Sequence, residues 1–458
     1  MPSPRVLAVT ALAALGGLAG LLSAGDGSVS VSTVAESMRG GLVSQASGAV
    51  AAENAKAGTR TWRIGTARAA APGLMAYAGA TSAGPGEKVP LFLRGSGATH
   101  ARAYRLGWYG GAGARQVWEG TFQATAQTGA AANWTSTSSI DTTGWPEGTY
   151  LIRLDLGGAS RYVPLTVTAA RSGAAGRVVV LTSPMTWAAT GRTGSVGKGR
   201  TVTLDRPLIT GNGGGGLVAD AGLIAQIERT GTDVVYRTDA DLAAAPGLID
   251  GATALLVDGD SRYWTAQMRT SVRKAVGAGT NLAFFGAGSA EVNVVRNSTA
   301  PRTFTVAAAA TAASSLLTGS VATCQADRAA GLTVADPAWW GFQGGSVRNG
   351  EVLRRLVSGR VDRVVDGSGA TVAASADLAC GRTQASSYLE NSSGAGVFTA
   401  GTQAWACTVS GACTDATGRR IKADARAQQV AALVTRNVVK AFATPKAART
   451  SRDASSPS

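Results

Sequence analysis

The hydrophobic pattern of this chain changes once, at a stretch of small residues covering positions 173–176. Before it, short runs rich in β-branched and aromatic residues are separated by turn signals, for example at residues 84–86 and 145–148. After it, short apolar runs alternate with segments of helical spacing. The first pattern predicts an antiparallel β-sandwich. The second predicts βαβ units on a parallel sheet covered on both faces.

The same patterns predict individual elements. In the first part, we expect strands near residues 89–93, 103–108, 115–122 and 149–154. In the second part, we expect strands at residues 177–182, 233–238, 254–258, 281–285 and 396–400, and helices at residues 219–229, 264–278, 348–357 and 423–441. The predicted fold class is therefore α/β with an N-terminal all-β sandwich.

A length of 458 residues suits two domains, because single hydrophobic cores stop growing at about 250–300 residues. The expected organisation is a signal peptide at residues 1–24, a linker at 25–60, the β-sandwich at 61–170, the α/β domain at 176–443 and a disordered basic tail at 444–458.

The signal peptide is indicated by Arg5, by the apolar run at residues 6–22 and by small residues before position 25. An uncleaved membrane anchor is the alternative. No other stretch is long and apolar enough to span a bilayer, so we expect no stable transmembrane span after cleavage. The protein is expected to be secreted or to belong to the cell envelope.

Export also decides how the cysteines are interpreted, since an oxidising compartment favours disulfides over metal thiolates. Pairing by proximity in sequence joins Cys407 to Cys413 and Cys324 to Cys380. Free structural thiols are the alternative.

The chain carries 43 Lys and Arg against 28 Asp and Glu, a net charge of +15, without a basic block. A diffuse positive surface suits the anionic polymers and lipids of a cell envelope. We expect no nucleic acid as partner, because no basic stripe is interleaved with aromatic residues. The expected partner is a small molecule or a cell-envelope ligand of unknown identity, and the oligomeric state is left open.

Acidic residues follow two of the predicted parallel strands, and ligands of such sheets bind outside the carboxyl ends of the strands. Asp239, Asp258 and Asp260 stand at these ends, with Asp241 close behind. They could form a cation site or accept hydrogen bonds from a substrate. Alternatively they cap the helices that follow, which we favour for Asp239.

Missing residue types exclude several chemistries. His100 is the only histidine and lies in the β-rich part, so the α/β domain cannot hold a histidine-dependent triad or a poly-histidine metal site. Ser289 follows a strand but has no obvious base. Residues 183–218 form an insertion between the first strand and its helix, far longer than the usual two to about six residues, and loops of this kind form active-site lids.

Several ordered stretches resemble a known family. They are residues 103–115, 145–151, 186–187, 204–207, 236–242, 263–264, 282–287 and 397–401. Together they look like the large (beta) subunit of N,N-dimethylformamidase and its exported actinobacterial relatives. The resemblance implies a β-sandwich joined to a parallel-sheet domain resembling class I glutamine amidotransferases.

The resemblance also implies hydrolysis of a carbon–nitrogen bond other than a peptide bond, with one iron ion held by two tyrosines and a glutamate. Here no tyrosine occurs between Tyr162 and Tyr236, where both tyrosines are expected. Arg262 stands in the place of the glutamate and Asp260 in that of a usual histidine. Arginine puts a permanent positive charge where a cation would bind, so we expect no metal and no cofactor.

Two hypotheses follow. The first is a divergent hydrolase with catalytic residues Asp258, Asp260 and Arg262, and with substrate-binding residues Thr186, Trp187, Asp239, Asp241, Tyr263 and Ser289. The second is an inactive family member that acts as a non-catalytic protein binding a cell-envelope component or a glycan. An enclosed pocket beneath residues 183–218, lined by the three candidate catalytic residues, would favour the enzyme.

Overall fold

Two sheets face each other in the N-terminal part of the protein.

The computed structural model describes residues 48–168, 174–191, 194–414 and 420–444. The predicted signal peptide, most of the predicted linker and all but the first residue of the predicted tail lie outside these residues. So does most of the boundary predicted between residues 170 and 176.

The N-terminal part begins with helices α1 (Ala49–Asn54) and α2 (Thr66–Ala70). Its strands are β1 (Met75–Ala78), β2 (Ser82–Ala83), β3 (Lys88–Arg94), β4 (Gly97–Leu106), β5 (Ala114–Ala124), β6 (Ser138–Asp141), β7 (Gly148–Leu156) and β8 (Ala159–Val167). They form a three-stranded sheet of order β1-β3-β6 and a five-stranded sheet of order β2-β8-β7-β4-β5. Val89, Leu91 and Leu93 alternate along β3 and are buried against Ile152 and Leu154 of β7. The predicted β-rich N-terminal part is confirmed.

The second part contains a nine-stranded sheet. Its chain continues through β9 (Val178–Thr182), α3 (Pro184–Ala189), β10 (Thr190–Gly191), β11 (Gly194–Ser195), β12 (Thr201–Thr203), α4 (Leu217–Arg229), β13 (Val234–Thr238), α5 (Asp239–Ala244), β14 (Ala254–Val257), β15 (Tyr263–Trp264), α6 (Ala266–Gly277) and β16 (Asn281–Phe284). Next come β17 (Val292–Arg296), β18 (Thr303–Ala309), α7 (Thr311–Thr318), β19 (Ser320–Val334), β20 (Val352–Val364), β21 (Thr371–Asp377), β22 (Thr383–Glu390), β23 (Gly396–Thr399), α8 (Ala404–Val409), β24 (Ala412–Thr414), β25 (Arg420–Lys422) and α9 (Ala425–Phe442).

The order of the large sheet is β13-β9-β14-β16-β23-β22-β21-β19-β20. The first five strands are parallel, in the order 2-1-3-4-5 along the chain, which is a doubly wound arrangement. Each of the other four strands is antiparallel to its neighbours in the sheet. Strands β12, β18, β17 and β15 form a separate four-stranded sheet.

Successive residues of β9 face opposite sides of the sheet, because side chains alternate along a strand. Val178 and Val180 pack in the core that also contains residues of α4 and α9. Val179 and Leu181 pack in the core that contains residues of α6. Burial on both faces explains why this strand is a continuous apolar run.

The N-terminal sandwich also packs against the first of these cores. Tyr104, Leu106 and Leu151 belong to the same apolar cluster as Leu223 and Ile227 of α4. All the residues that the structure describes belong to one compact unit. The two predicted domains therefore share an apolar contact surface.

The helix predicted at residues 348–357 is wrong, because the structure places strand β20 there. Leu353, Leu356, Val357 and Val361 are all buried, a spacing that mimics the face of a helix. A bulge causes this spacing, because β20 pairs with β19 at residues 353 and 357 with a register shift between them. Three residues of β20 (354–356) stand opposite one residue of β19, and the two extra residues interrupt the alternation of buried side chains.

Both predicted disulfides are confirmed. Cys324 is bonded to Cys380, with their Cα atoms 6.9 Å apart, and Cys407 to Cys413, with their Cα atoms 4.8 Å apart. Among the described residues, no helix is both long enough and apolar enough to cross a membrane.

Candidate functional site

The parallel strands β9, β14, β16 and β23 end at one edge of the sheet. We use the name strand-end rim for the residues that follow these strands and for the residues that pack against them. Two of its loops touch through backbone atoms. A Cβ atom on Gly286 would lie 1.5 Å from the carbonyl oxygen of Gly259, so only glycine fits there. This close contact fixes the loop after β14 against the loop after β16.

Asp258 lies at the centre of the rim and is 3% exposed. Its carboxyl group accepts a hydrogen bond from the backbone N–H of Ser183 at 2.9 Å and another from the Ser183 hydroxyl at 2.5 Å. Burial, together with the nearby carboxyl of Asp220, raises the pKa of Asp258 well above its usual value. Asp258 therefore joins the ends of β9 and β14.

Asp260 and Arg262 form an ion pair within the loop after β14. The guanidinium Nε lies 2.7 Å from Oδ1 of Asp260, and Nη2 lies 3.2 Å from Oδ2. Gln403 donates a third hydrogen bond to Asp260, at 3.2 Å. Burial lowers the pKa of Arg262, but the charge of Asp260 outweighs it, so the pKa lies above its usual value.

A second ion pair, between Glu291 and Arg360, lies beside the first. Glu291 also interacts electrostatically with Arg262 and Asp260, and burial raises its pKa. The rim therefore contains a cluster of two arginines and two carboxylates, Arg262, Arg360, Asp260 and Glu291, whose formal charges balance. We call it the ion-pair cluster.

Thr186, on helix α3 of the insertion, holds the loop that carries Arg262. Its hydroxyl oxygen accepts hydrogen bonds from the backbone N–H groups of Arg262, at 3.0 Å, and of Tyr263, at 3.2 Å. The Tyr263 hydroxyl donates to the carbonyl of Val196, also in the insertion, at 3.0 Å. These two residues position backbone rather than presenting free polar groups.

Asp239 and Asp241 have different surroundings. Asp239 is the first residue of α5, whose N-cap is Thr238, and its carboxylate accepts a hydrogen bond from the backbone N–H of Met185 in α3 at 3.0 Å. Its other oxygen is buried without a hydrogen-bond partner, and burial raises its pKa well above the usual value. Asp241 forms a capping box with Thr238 at the start of α5, and accepts a hydrogen bond from Ser82 at 2.5 Å.

Ser289 is 3% exposed, and its carbonyl accepts a hydrogen bond from the Ser314 hydroxyl. Trp187 lines a different feature, a cavity of about 40 Å³ between the sandwich and the insertion. Arg206 and Arg302 line the same cavity, whereas Asp258, Asp260 and Arg262 do not. The structure thus brings Asp258, Asp260, Arg262, Thr186 and Tyr263 together and separates Trp187 and Asp241 from them.

Sequence reasoning missed five rim residues. They are Asp220, Glu291, Arg360, Asp362 and Gln403. Asp220 is 2% exposed on α4, accepts a hydrogen bond from the N–H of Gly259 at 3.3 Å, and has its pKa raised to about 8 by burial. Asp362 accepts a hydrogen bond from the N–H of Gly288 at 2.8 Å, and burial raises its pKa to about 7. The available signal was the position of Asp220 on the apolar face of a helix.

Fold and rim together define a doubly wound α/β protein with an N-terminal β-sandwich and polar residues at the ends of its parallel strands. Residues 100–416 match the model of the family described as N,N-dimethylformamidase beta subunit-like, C-terminal. The match covers more than half of the chain, so the protein belongs to this family. It begins inside β4 and therefore includes most of the five-stranded sheet. A search of curated proteins finds no match.

The family resemblance implies an iron ion held by two tyrosines and a glutamate at this rim. Arg262, at the position expected for the glutamate, is buried and ion-paired. Within the described ranges, no group of three His, Cys, Asp or Glu side chains is arranged to hold a metal ion.

Proposed function

We propose that this protein is an exported member of the dimethylformamidase beta subunit-like family that has kept the scaffold and lost iron-dependent amide hydrolysis. It acts instead as a non-catalytic binding protein of the cell envelope. The single observation that carries the proposal is the ion-pair cluster at the rim.

The ion-pair cluster disfavours the binding of a metal ion for an electrostatic reason. Asp260 and Glu291 are the carboxylates that a cation would need, and each is already paired with an arginine. Unlike a carboxylic acid or a histidine, arginine cannot lose its charge at accessible pH. A divalent cation would have to displace two guanidinium groups from a largely buried position, which costs desolvation energy as well as both ion pairs.

The remaining carboxyl groups of the rim also support a non-catalytic role. Asp258 is bonded to Ser183, and Asp239 to the backbone of α3. A general base must reach the proton that it abstracts, directly or through one water molecule. Asp258 and Asp239 are 3% and 0% exposed.

The test is iron analysis and an activity assay on the purified full-length chain. The protein is incubated anaerobically with Fe²⁺, desalted, and analysed by mass spectrometry for bound iron. Hydrolysis of N,N-dimethylformamide and of a panel of simple amides is followed by amine release. We expect iron far below one equivalent and no amine release above the protein-free control. Stoichiometric iron together with amide hydrolysis would show the proposal to be wrong.

A divergent hydrolase is the second candidate, and one observation favours it. Carboxyl groups whose pKa values are raised towards neutrality, such as those of Asp220 and Asp362, are typical of active sites. If the protein is a hydrolase that uses the rim, the wild type should turn over a substrate and both Asp260→Asn and Arg262→Gln should lose this activity. The control variant Glu119→Gln, on the exposed surface of the sandwich, should keep it. Turnover that survives all three substitutions would remove the rim from consideration.

A further inference from the structure

Strand β20 forms one edge of the nine-stranded sheet and carries a bulge. Leu353 pairs with Leu332 and Val357 pairs with Ala330, so residues 354–356 lie opposite Gly331 alone. A Cβ atom on Gly331 would lie 2.4 Å from a methyl group of Val352, so the Val352 side chain packs directly over this glycine. Bulges are features that redirect side chains at sheet edges.

The bulge turns two neighbouring arginines towards solvent. Neighbouring side chains of a regular strand point to opposite faces. Here Arg354 and Arg355 are both exposed, while Leu353 and Leu356 on either side are buried. Arg355 has a φ of 61°, a left-handed conformation that residues other than glycine rarely adopt. The chain therefore keeps a strained backbone where it presents two adjacent guanidinium groups.

These arginines line a groove of about 670 Å³, whose lining also includes Lys422 on β25 and the chain that leads into α9. Lys422 is exposed. Among the described lining residues Asp424 is the only acidic one, and its carboxylate accepts hydrogen bonds from the N–H groups of Arg426 and Ala427, both at 3.0 Å. We call this feature the basic groove.

Three cations of the basic groove have no side-chain partner among the residues that the structure describes. No hydrogen bond or ion pair joins Arg354, Arg355 or Lys422 to another side chain within residues 48–168, 174–191, 194–414 and 420–444. Elsewhere on the protein, arginines are commonly paired, as Arg426 is with Glu351 at 2.7 Å just beyond the groove. The groove thus combines a concave shape with a local excess of positive charge.

We infer that the basic groove binds an acidic polymer whose charges are phosphate or carboxylate groups on a backbone without nucleobases. Guanidinium groups bind both kinds of anion through paired N–H donors, and an ammonium group adds a point charge. None of the lining residues that the structure describes is aromatic, so bases of a nucleic acid would have nothing to stack on there. The net charge of +15 would attract such a polymer from a distance.

This inference goes beyond the proposed function and shares no residue with the rim. The groove is lined by Ala329, Gly331, Val352, Arg354, Arg355, Lys422, Ala423, Asp424 and Ala425. Amide hydrolysis at the rim would overturn the proposed function and leave the groove untouched. Failure of the groove to bind polymer would have no bearing on iron or turnover.

The test is fluorescence anisotropy with the full-length chain and three labelled probes: polyphosphate, polyglutamate and single-stranded oligothymidylate. The groove variant combines Arg354→Gln, Arg355→Gly and Lys422→Gln, where glycine suits the left-handed backbone at position 355. The control combines Lys88→Gln, Arg94→Gln and Lys274→Gln, which removes the same charge from exposed positions elsewhere.

We expect the wild type to bind polyphosphate or polyglutamate, and the tighter probe identifies the anionic group. The groove variant should lose at least about tenfold in affinity. Its plot of log affinity against log salt should be shallower than that of the wild type, because fewer counterions are released when three contacts with the anionic chain are lost. The control should lose less than about threefold.

Three results would overturn the inference. One is the absence of binding to both acidic polymers. Another is an equal loss in the groove and control variants, which would assign binding to overall charge. The third is tighter binding of the oligothymidylate through the same groove residues, which would make the ligand a nucleic acid.

Discussion

Arg105 and Glu228 form a two-point ion pair that joins the N-terminal sandwich to the first long helix of the α/β part. Nη2 of Arg105 lies 2.7 Å from Oε1 of Glu228, and Nη1 lies 3.0 Å from Oε2. The two side chains are 2% and 0% exposed. Tyr236 and Asn54 donate further hydrogen bonds to the same carboxylate, at 2.7 and 2.9 Å. The network explains how β4, α4, β13 and α1 are held together.

Glu228→Gln should destabilise the protein strongly, because it leaves Arg105 buried with an uncompensated charge. Removing one partner of a buried ion pair costs about 3–5 kcal/mol. The matched control is Glu119→Gln, which affects an exposed pair with Arg102 and should cost less than about 1 kcal/mol. Urea unfolding measures both. Similar costs for the two variants would contradict a structural role for the buried pair.

The buried carboxyl groups should make stability fall as the pH rises. Burial raises the pKa of Asp220 to about 8 and that of Asp362 to about 7. Between about pH 4 and these values the folded state binds protons that the unfolded state has released. The free energy of unfolding contributed by these groups is therefore fully present below about pH 4. It is lost as the pH rises through 7 and 8.

Asp220→Asn tests this expectation directly. The variant cannot ionise at this position, so the wild type should lose stability relative to it from about pH 4 to pH 8, with no further change above pH 9. Thermal unfolding of both proteins across this range gives the difference. A constant difference across the whole range would show that Asp220 does not titrate in the folded protein as described.

Arg262→Glu should create sensitivity to divalent cations. The substitution removes the guanidinium and adds a third carboxylate beside Asp260 and Glu291, and clustered carboxylate oxygens suit Mn²⁺. We expect the melting temperature of this variant to rise by several degrees with millimolar MnCl₂. The wild type and Arg262→Gln should not respond. A response of the same size in Arg262→Gln would show that the added carboxylate is not the cause.

Arg355→Gly should leave the protein as stable as the wild type or make it more stable, because glycine adopts the left-handed conformation freely. Arg354→Gly, one residue away on the same exposed edge, should cost up to about 1 kcal/mol, since it has no such strain to relieve. Denaturant unfolding separates the two. If both substitutions destabilise the protein equally, the backbone at Arg355 is not strained.

The sequence predicts the parallel strands well because each is buried on both faces, as residues 177–182 illustrate. It also predicts that Asp260 and Arg262 lie near each other, since they are two positions apart. It fails at residues 348–357, where a bulge imitates helical spacing. It cannot predict that Arg360 of β20 pairs with Glu291, because that contact depends on the antiparallel strands added to the parallel sheet.

Helix α3 and the residue before it are attached at three points to two segments: the loop after β14 and the residue that follows β13. Ser183, just before it, bonds to Asp258; Met185 bonds to Asp239; and Thr186 bonds to the loop after β14. A lid must swing away from its site, but this helix cannot do so without breaking all three attachments. The start of the insertion therefore holds the ends of β9, β13 and β14 in fixed positions relative to one another. A shift of any one of these strand ends would displace the other two.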